Sequence, residues 1–126
     1  MFRTLLVEDN DGFRHMLQTL LVEQFPSLQV LEAGTSRDAL RAVITCKPQL
    51  VFLDIQLPDE NGLELTRKIK SLDASTSVVV LTSYDLPEYR QAAFRNGANC
   101  FMCKGTSSSS DIIALLHGTM TTANIH

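Results

Sequence analysis

The chain has 126 residues, 44% of them hydrophobic and 20% charged, which is enough apolar side chain for one hydrophobic core and one domain. Its 11 lysines and arginines stand against 14 aspartates and glutamates, a net charge of -3 that argues against direct nucleic-acid contact, which depends on a basic field. No apolar run approaches the roughly 20 residues of a membrane span, and Met1-Phe2-Arg3-Thr4-Leu5-Leu6-Val7 meets acids too soon for a secretion signal, so a cytoplasmic protein without membrane contact is expected.

Short apolar runs alternate with longer amphipathic ones along the whole chain. The first strand is predicted at Thr4 to Val7. A helix follows from Asp11 to Phe25, with Phe13, Leu17, Leu20, Leu21 and Phe25 on one face and Pro26 as its stop. A second strand at Gln29 to Ala33 leads to a helix from Ser36 to Cys46, capped by Thr35 or Ser36, striped by Ala39, Leu40 and Val43, and closed by Pro48. The third strand, Leu50 to Leu53, is apolar throughout, as a strand buried on both faces should be. Its helix begins near Gly62 and carries Leu63, Leu65 and Ile69, short and half polar. After a strand at Ser77 to Leu81, Asp85, Leu86, Pro87 and Glu88 have capping-box spacing with an early proline, and Asn96-Gly97 marks the end of that fourth helix. The last strand is placed at Ala98 to Cys103. The serine run 107 to 110 reads as a solvated loop that caps a fifth helix with Ile112, Leu115, Leu116 and Met120 on one face, and the domain is placed at residues 1–122 with a tail at 123–126.

Strict alternation of strand and helix requires right-handed crossovers and a parallel sheet covered on both faces. The fold class is therefore α/β: a flavodoxin-like, doubly wound (βα)5 domain with a five-stranded parallel sheet of order 2-1-3-4-5, whose ligands bind beyond the carboxyl ends of the strands. Cys46, Cys100 and Cys103 are too few and too odd in number for a disulfide framework. Cys100 and Cys103, three apart on one strand, point to opposite faces and read as buried structural thiols. His15, His117 and His126 show no partner spacing and read as surface residues.

The strand ends carry the chemistry. Strand 1 ends in Glu8-Asp9 and strand 3 in Asp54, so neighbouring strands deliver three carboxylates to one crevice, where a hard divalent cation, most simply Mg²⁺, would offset their repulsion. Strand 4 ends in Thr82 and Ser83, and Lys104 follows strand 5. Taken singly, each of these is an ordinary cap, sheet-end hydroxyl or surface charge. Together they suit a site where phosphoryl oxygens are held while an aspartate attacks phosphorus.

These residues resemble the receiver domain of two-component response regulators, over Leu5 to about Met120. The resemblance rests on Leu5-Leu6-Val7-Glu8-Asp9, on Leu53-Asp54-Ile55-Gln56-Leu57-Pro58 with Gly62 eight past the aspartate, on Leu81-Thr82-Ser83-Tyr84, and on Gly97-Ala98-Asn99-Cys100-Phe101-Met102-Cys103-Lys104. It implies a phosphoprotein of a two-component system in which Asp54 accepts a phosphoryl group from a sensor histidine kinase. Glu8, Asp9, Asp54 and the main-chain carbonyl of Gln56 would hold Mg²⁺, and Thr82 and Lys104 would bind the phosphoryl oxygens. Thr82 and Phe101 would form the switch, and Gln56 and Tyr84 would tune the lifetime of the phosphoryl group. The stretch from Thr82 to Ala98 resembles receivers of the LuxR-like, nitrate-regulator type, which implies regulation of transcription through a C-terminal helix-turn-helix output domain not in this chain, and a homodimer on phosphorylation. Gly105 stands where many receivers have proline, so the isomer of the bond before it is open.

Two other chemistries fit less well. An aspartate-nucleophile phosphohydrolase usually needs a second acid two residues past the nucleophile, where this chain has Gln56, so the expectation is a signalling domain and not an enzyme acting on an external substrate. A flavin or dinucleotide module would carry glycines in the first strand-helix turn, where Glu8-Asp9-Asn10-Asp11-Gly12 would repel phosphate.

Overall fold

The computed structural model describes residues 1–125, and His126 lies outside them. The strands are β1 (Arg3–Val7), β2 (Gln29–Ala33), β3 (Leu50–Leu53), β4 (Ser77–Thr82) and β5 (Cys100–Cys103), and the helices are α1 (Asp11–Gln24), α2 (Ser36–Cys46), α3 (Gly62–Leu72), α4 (Pro87–Arg95) and α5 (Ser109–Ile125). All pairings are parallel, in the order β2-β1-β3-β4-β5. This is the fold expected from the alternation of apolar runs.

Alternate residues of each strand feed two cores. Leu5, Val7, Val51, Leu53, Val78, Val80 and Phe101 face α2, α3 and α4, where they meet Ala39, Val43, Leu65, Ile69 and Ala93. Leu6, Leu50, Phe52, Val79 and Leu81 face α1 and α5 and meet Leu17, Leu21, Ile112 and Leu116. Because both faces are covered, the central strands have no polar side, which is why β3 reads as an unbroken apolar run.

Local chemistry sets the element ends. Asn10 caps α1 by accepting from the Phe13 amide at 2.9 Å, Thr35 caps α2 through the Asp38 amide at 3.1 Å, and Asn61 caps α3 through the Leu63 amide at 2.7 Å. Ser108 and Asp111 bond each other's amides, so the serine run does supply the cap of α5. At α4 the cap position falls on Leu86, which makes no side-chain cap bond, so the expected capping box of Asp85 and Glu88 does not form. Pro87 at the first helical position presets the turn instead. Gly97, with φ of 101°, ends that helix in the left-handed conformation that glycine adopts freely.

β5 starts at Cys100, two residues later than expected. The Asn99 side chain explains the difference: its Oδ1 accepts from the Val78 amide at 2.8 Å while the Asn99 backbone amide donates to the Val78 carbonyl at 2.8 Å, so a side-chain oxygen stands in for one acceptor of the ladder. The three cysteines are free and half-buried, so Cys100 and Cys103 are not fully buried as expected. His15 and His117 are exposed, and α5 continues as helix through residues 123–125, where a tail was expected. The bond before Gly105 is trans.

Candidate functional site

Register brings the acids together. Val7 pairs with Leu53, so the next residue on each strand, Glu8 and Asp54, leaves the sheet at the same level, and the Asp54 amide donates to the Val7 carbonyl at 3.1 Å. β4 and β5 end side by side, with Thr82 opposite Cys103 and the Lys104 amide on the Thr82 carbonyl at 2.8 Å. Lys104 therefore reaches back across the strand ends toward the acids.

An open cleft of about 600 Å³ lies over these ends, lined among others by Glu8, Asp9, Asp54, Gln56, Tyr84 and Lys104. Asp54 is 8% exposed and Glu8 4%, so both carboxylates are largely withdrawn from water. The Lys104 ammonium donates to Glu8 Oε1 and, at 3.0 Å, to Asp54 Oδ2. Burial pushes the Glu8 carboxyl up, with the Asp54 charge adding to the rise and the bond to Lys104 opposing it. Burial works against the Lys104 ammonium as well, but its hydrogen bonds to the two carboxylates outweigh that cost and hold it above the ordinary lysine range.

The three carboxylates predicted for the crevice all border it, but they do not close on one point. Among the described residues no three acidic, histidine or cysteine side chains stand together as a metal site. Glu8 and Asp54 turn to Lys104, while Asp9 is exposed. The repulsion that called for a cation is thus relieved in this arrangement by an ammonium from 96 residues away in the chain. The donor set itself, carboxylates and a neighbouring backbone, is all oxygen, the kind Mg²⁺ takes.

Thr82 is fully buried and does not line the cleft; its Oγ1 accepts from the Tyr84 amide at 3.3 Å, and Ser83 and Tyr84 form the wall there. Gln56 is exposed at the cleft and pairs through its backbone with Asn61. Phe101 is 5% exposed in the core beneath α4, with the Arg90 guanidinium 5.7 Å from its ring centroid.

Two residues of the site, one lining the cleft and one beside Lys104, carry no functional signal of their own in the sequence. Tyr89 joins the lining from the first turn of α4 and packs edge-on against Tyr84, with centroids 6.0 Å apart. Phe13, which reads as one more member of the α1 apolar stripe, has the Lys104 ammonium 4.2 Å from its ring centroid. The helical start at Pro87 hints at the first; nothing local points to the second.

Residues 4–117 match the response regulator receiver domain family. The chain is 31% identical over 102 residues to the chemotaxis protein CheY of Halobacterium salinarum, covering 81% of this chain and 83% of that protein. It is 35% identical over 105 residues to the DNA-binding transcriptional activator DevR/DosR of Mycobacterium tuberculosis, covering 82% of this chain and 48% of that protein. A solved two-component response regulator of the LuxR family, from Aurantimonas sp., superposes with a TM-score of 0.85 at 26% identity over 95% of this chain and 85% of that one, in line with the LuxR-like resemblance. The chain spans only 41% to 48% of the length of several curated relatives that it matches. No helix among the described residues is long and apolar enough to cross a membrane. A match that runs from β1 into α5, on a sheet of the same strand order, places this chain in the receiver domain family of two-component response regulators.

Proposed function

We propose that residues 1–122 act as a cytoplasmic phosphoacceptor in which Asp54 takes a phosphoryl group from a phosphohistidine of a sensor histidine kinase. The observation that carries this reading is the placement of Asp54: at the end of a buried strand, open to the cleft, with the Lys104 ammonium 3.0 Å from its carboxylate. A carboxylate oxygen of Asp54 attacks phosphorus, the P–N bond breaks with its electron pair going to the imidazole nitrogen, and an acyl phosphate remains. Lys104 leaves Glu8 to pair with the new phosphoryl oxygens, and the Thr82 hydroxyl turns to donate to them.

Glu8, Asp9, Asp54 and the main-chain carbonyl of Gln56 would hold Mg²⁺, which when bound neutralises charge on the oxygens of the transferring group. Gln56 and Tyr84 flank the path of a water attacking the phosphoryl group in line. Neither can deprotonate that water, so self-hydrolysis is slow and the domain turns over no external substrate.

Readout follows from the added charge of about -1.5 to -2. Movement of Thr82 vacates space under α4 that the Phe101 ring fills, and the surface of α4, β5 and α5 shifts toward a form that pairs with a second receiver or releases an output domain. Likeness to the LuxR-family regulator and to DevR/DosR supports a DNA-binding helix-turn-helix output outside this chain.

The test is incubation with acetyl phosphate and Mg²⁺ followed by mass spectrometry. One acid-labile phosphoryl group on Asp54 is expected, and none in Asp54→Asn. Full labelling of that variant at another residue would overturn the assignment. Replacing Tyr84 by alanine should change the decay rate, and beryllofluoride should change the Phe101 rotamer and the mass in solution.

A further inference from the structure

We infer that Phe13 is the positioning residue of Lys104, a flat π surface that holds the ammonium at the level of the phosphoryl site and lets it slide from Glu8 toward the incoming oxygens. The inference rests on the reading of Lys104 as a phosphoryl ligand. A lysine ammonium has three N–H donors, and two of them are accounted for by Glu8 and Asp54. On another side lies the Phe13 ring, 4.2 Å from Nζ to centroid, well inside the range at which a ring quadrupole attracts a cation.

The ring is held from both sides. Its helix is capped by Asn10, whose side chain accepts from the Phe13 amide at 2.9 Å, and one turn on, Arg14 donates through Nη1 to the main-chain carbonyl of Glu8 at 2.5 Å. The first turn of α1 is thereby tied to the strand end that carries the acid. Behind the ring lie Leu6, Leu17, Phe52 and Leu81. A half-buried aromatic anchored in this way is part of the core on one side and the resting surface of a cation on the other.

The chemistry explains why a ring suits this place better than a hydrogen-bond acceptor. An acceptor here would add a third directional bond that Lys104 would have to break before reaching phosphoryl oxygens. A π face attracts the ammonium over its whole area, so lateral travel forfeits little. It also adds no further carboxylate to a crevice that already holds two buried ones.

The experiment measures the rate constant of phosphorylation by acetyl phosphate at saturating Mg²⁺, in the full chain, with mono-, di- and trifluorophenylalanine placed at position 13 alone by site-specific incorporation. Fluorination drains the ring quadrupole stepwise while nearly preserving shape, so the logarithm of the rate should fall in proportion to the number of fluorines. Phe13→Leu should slow phosphorylation about threefold to tenfold, and Phe13→Tyr, which keeps the π face, should stay within about twofold of the parent. The loss should appear in the maximal rate and not in the half-saturating acetyl phosphate concentration. Lys104→Ala is the companion measurement. If it abolishes phosphorylation while the fluorine series is flat, the role of Phe13 is overturned and that of Lys104 stands; if it leaves the rate intact, both fall.

Discussion

Gly62 stands against the backbone of Asp54: a Cβ built on Gly62 would lie 2.1 Å from the Asp54 carbonyl oxygen and 2.8 Å from the Ile55 Cα. The same residue donates its amide to the Ile55 carbonyl at 2.7 Å. The start of α3 is therefore pressed onto the turn that presents the acidic side chain, and only a residue without a side chain permits that approach. Gly62→Ala should lower stability by about 2 to 3 kcal/mol despite alanine's better helix propensity, because backbone atoms must move apart. Urea denaturation measures this, and phosphorylation of the variant should slow as well. A variant as stable as the parent would show that the turn relaxes freely.

The Thr4 hydroxyl lies fully buried in β1, and its Oγ1 is the one buried side-chain oxygen or nitrogen among the described residues without a hydrogen-bond partner. Valine has nearly the same shape and nothing to satisfy. Thr4→Val should raise stability by about 1 kcal/mol, read as a higher urea midpoint at unchanged slope. A lower midpoint would mean that the hydroxyl finds a partner in solution.

Lys104 neutralises two carboxylates whose side chains are 5% and 11% exposed, at Glu8 and Asp54. Lys104→Ala leaves those charges uncompensated and should destabilise the metal-free protein by about 2 to 4 kcal/mol. The same change removes the ammonium that competes with a divalent cation for the acids, so Mg²⁺ should bind about tenfold more tightly and raise Tm more than it does in the parent. Titration calorimetry and thermal melts with and without Mg²⁺ decide this. Weaker Mg²⁺ binding in the variant would count against competition.

The loop after Asp54 is clasped to the start of α2. Asp59 accepts from the Ser36 and Arg37 amides at 2.9 and 3.1 Å, and Glu60 bonds the Ser36 hydroxyl and the Lys68 ammonium. The Ser36 amide, helped by the Arg37 amide and opposed by partial desolvation, holds the Asp59 carboxyl below its usual range. The Lys68 and Ser36 hydrogen bonds do the same for Glu60. Acids with depressed folded-state pKa values contribute fully above the ordinary carboxylate range and lose that contribution as pH falls through the depressed values. Stability should therefore drop as pH is lowered below about 4, and Asp59→Asn should flatten that part of the urea-midpoint profile. An unchanged profile would place the acid sensitivity elsewhere.

How far each feature could be read in advance follows the range of the physics behind it. The bounds of α2 were legible because cap, stripe and breaker lie within fourteen neighbouring residues, Thr35 to Pro48. The apolar run of β3 announced a strand covered on both faces, and the alternation of elements announced the sheet order and the end of the sheet where Glu8, Asp54, Thr82 and Lys104 would gather. What each side chain touches there was a different matter. The partnership of Lys104 with Glu8 depends on the level at which β1, β3 and β5 leave the sheet, and no local pattern encodes a contact between residues 96 apart. The withdrawal of Thr82 behind Ser83 and Tyr84, the replacement of a ladder acceptor by the Asn99 side chain, and the turning of Phe13 from a stripe residue into the floor under an ammonium are likewise set by packing between elements. Local periodicity determines which face of an element is buried; only the closing of helices onto the sheet decides which polar group meets which partner within it.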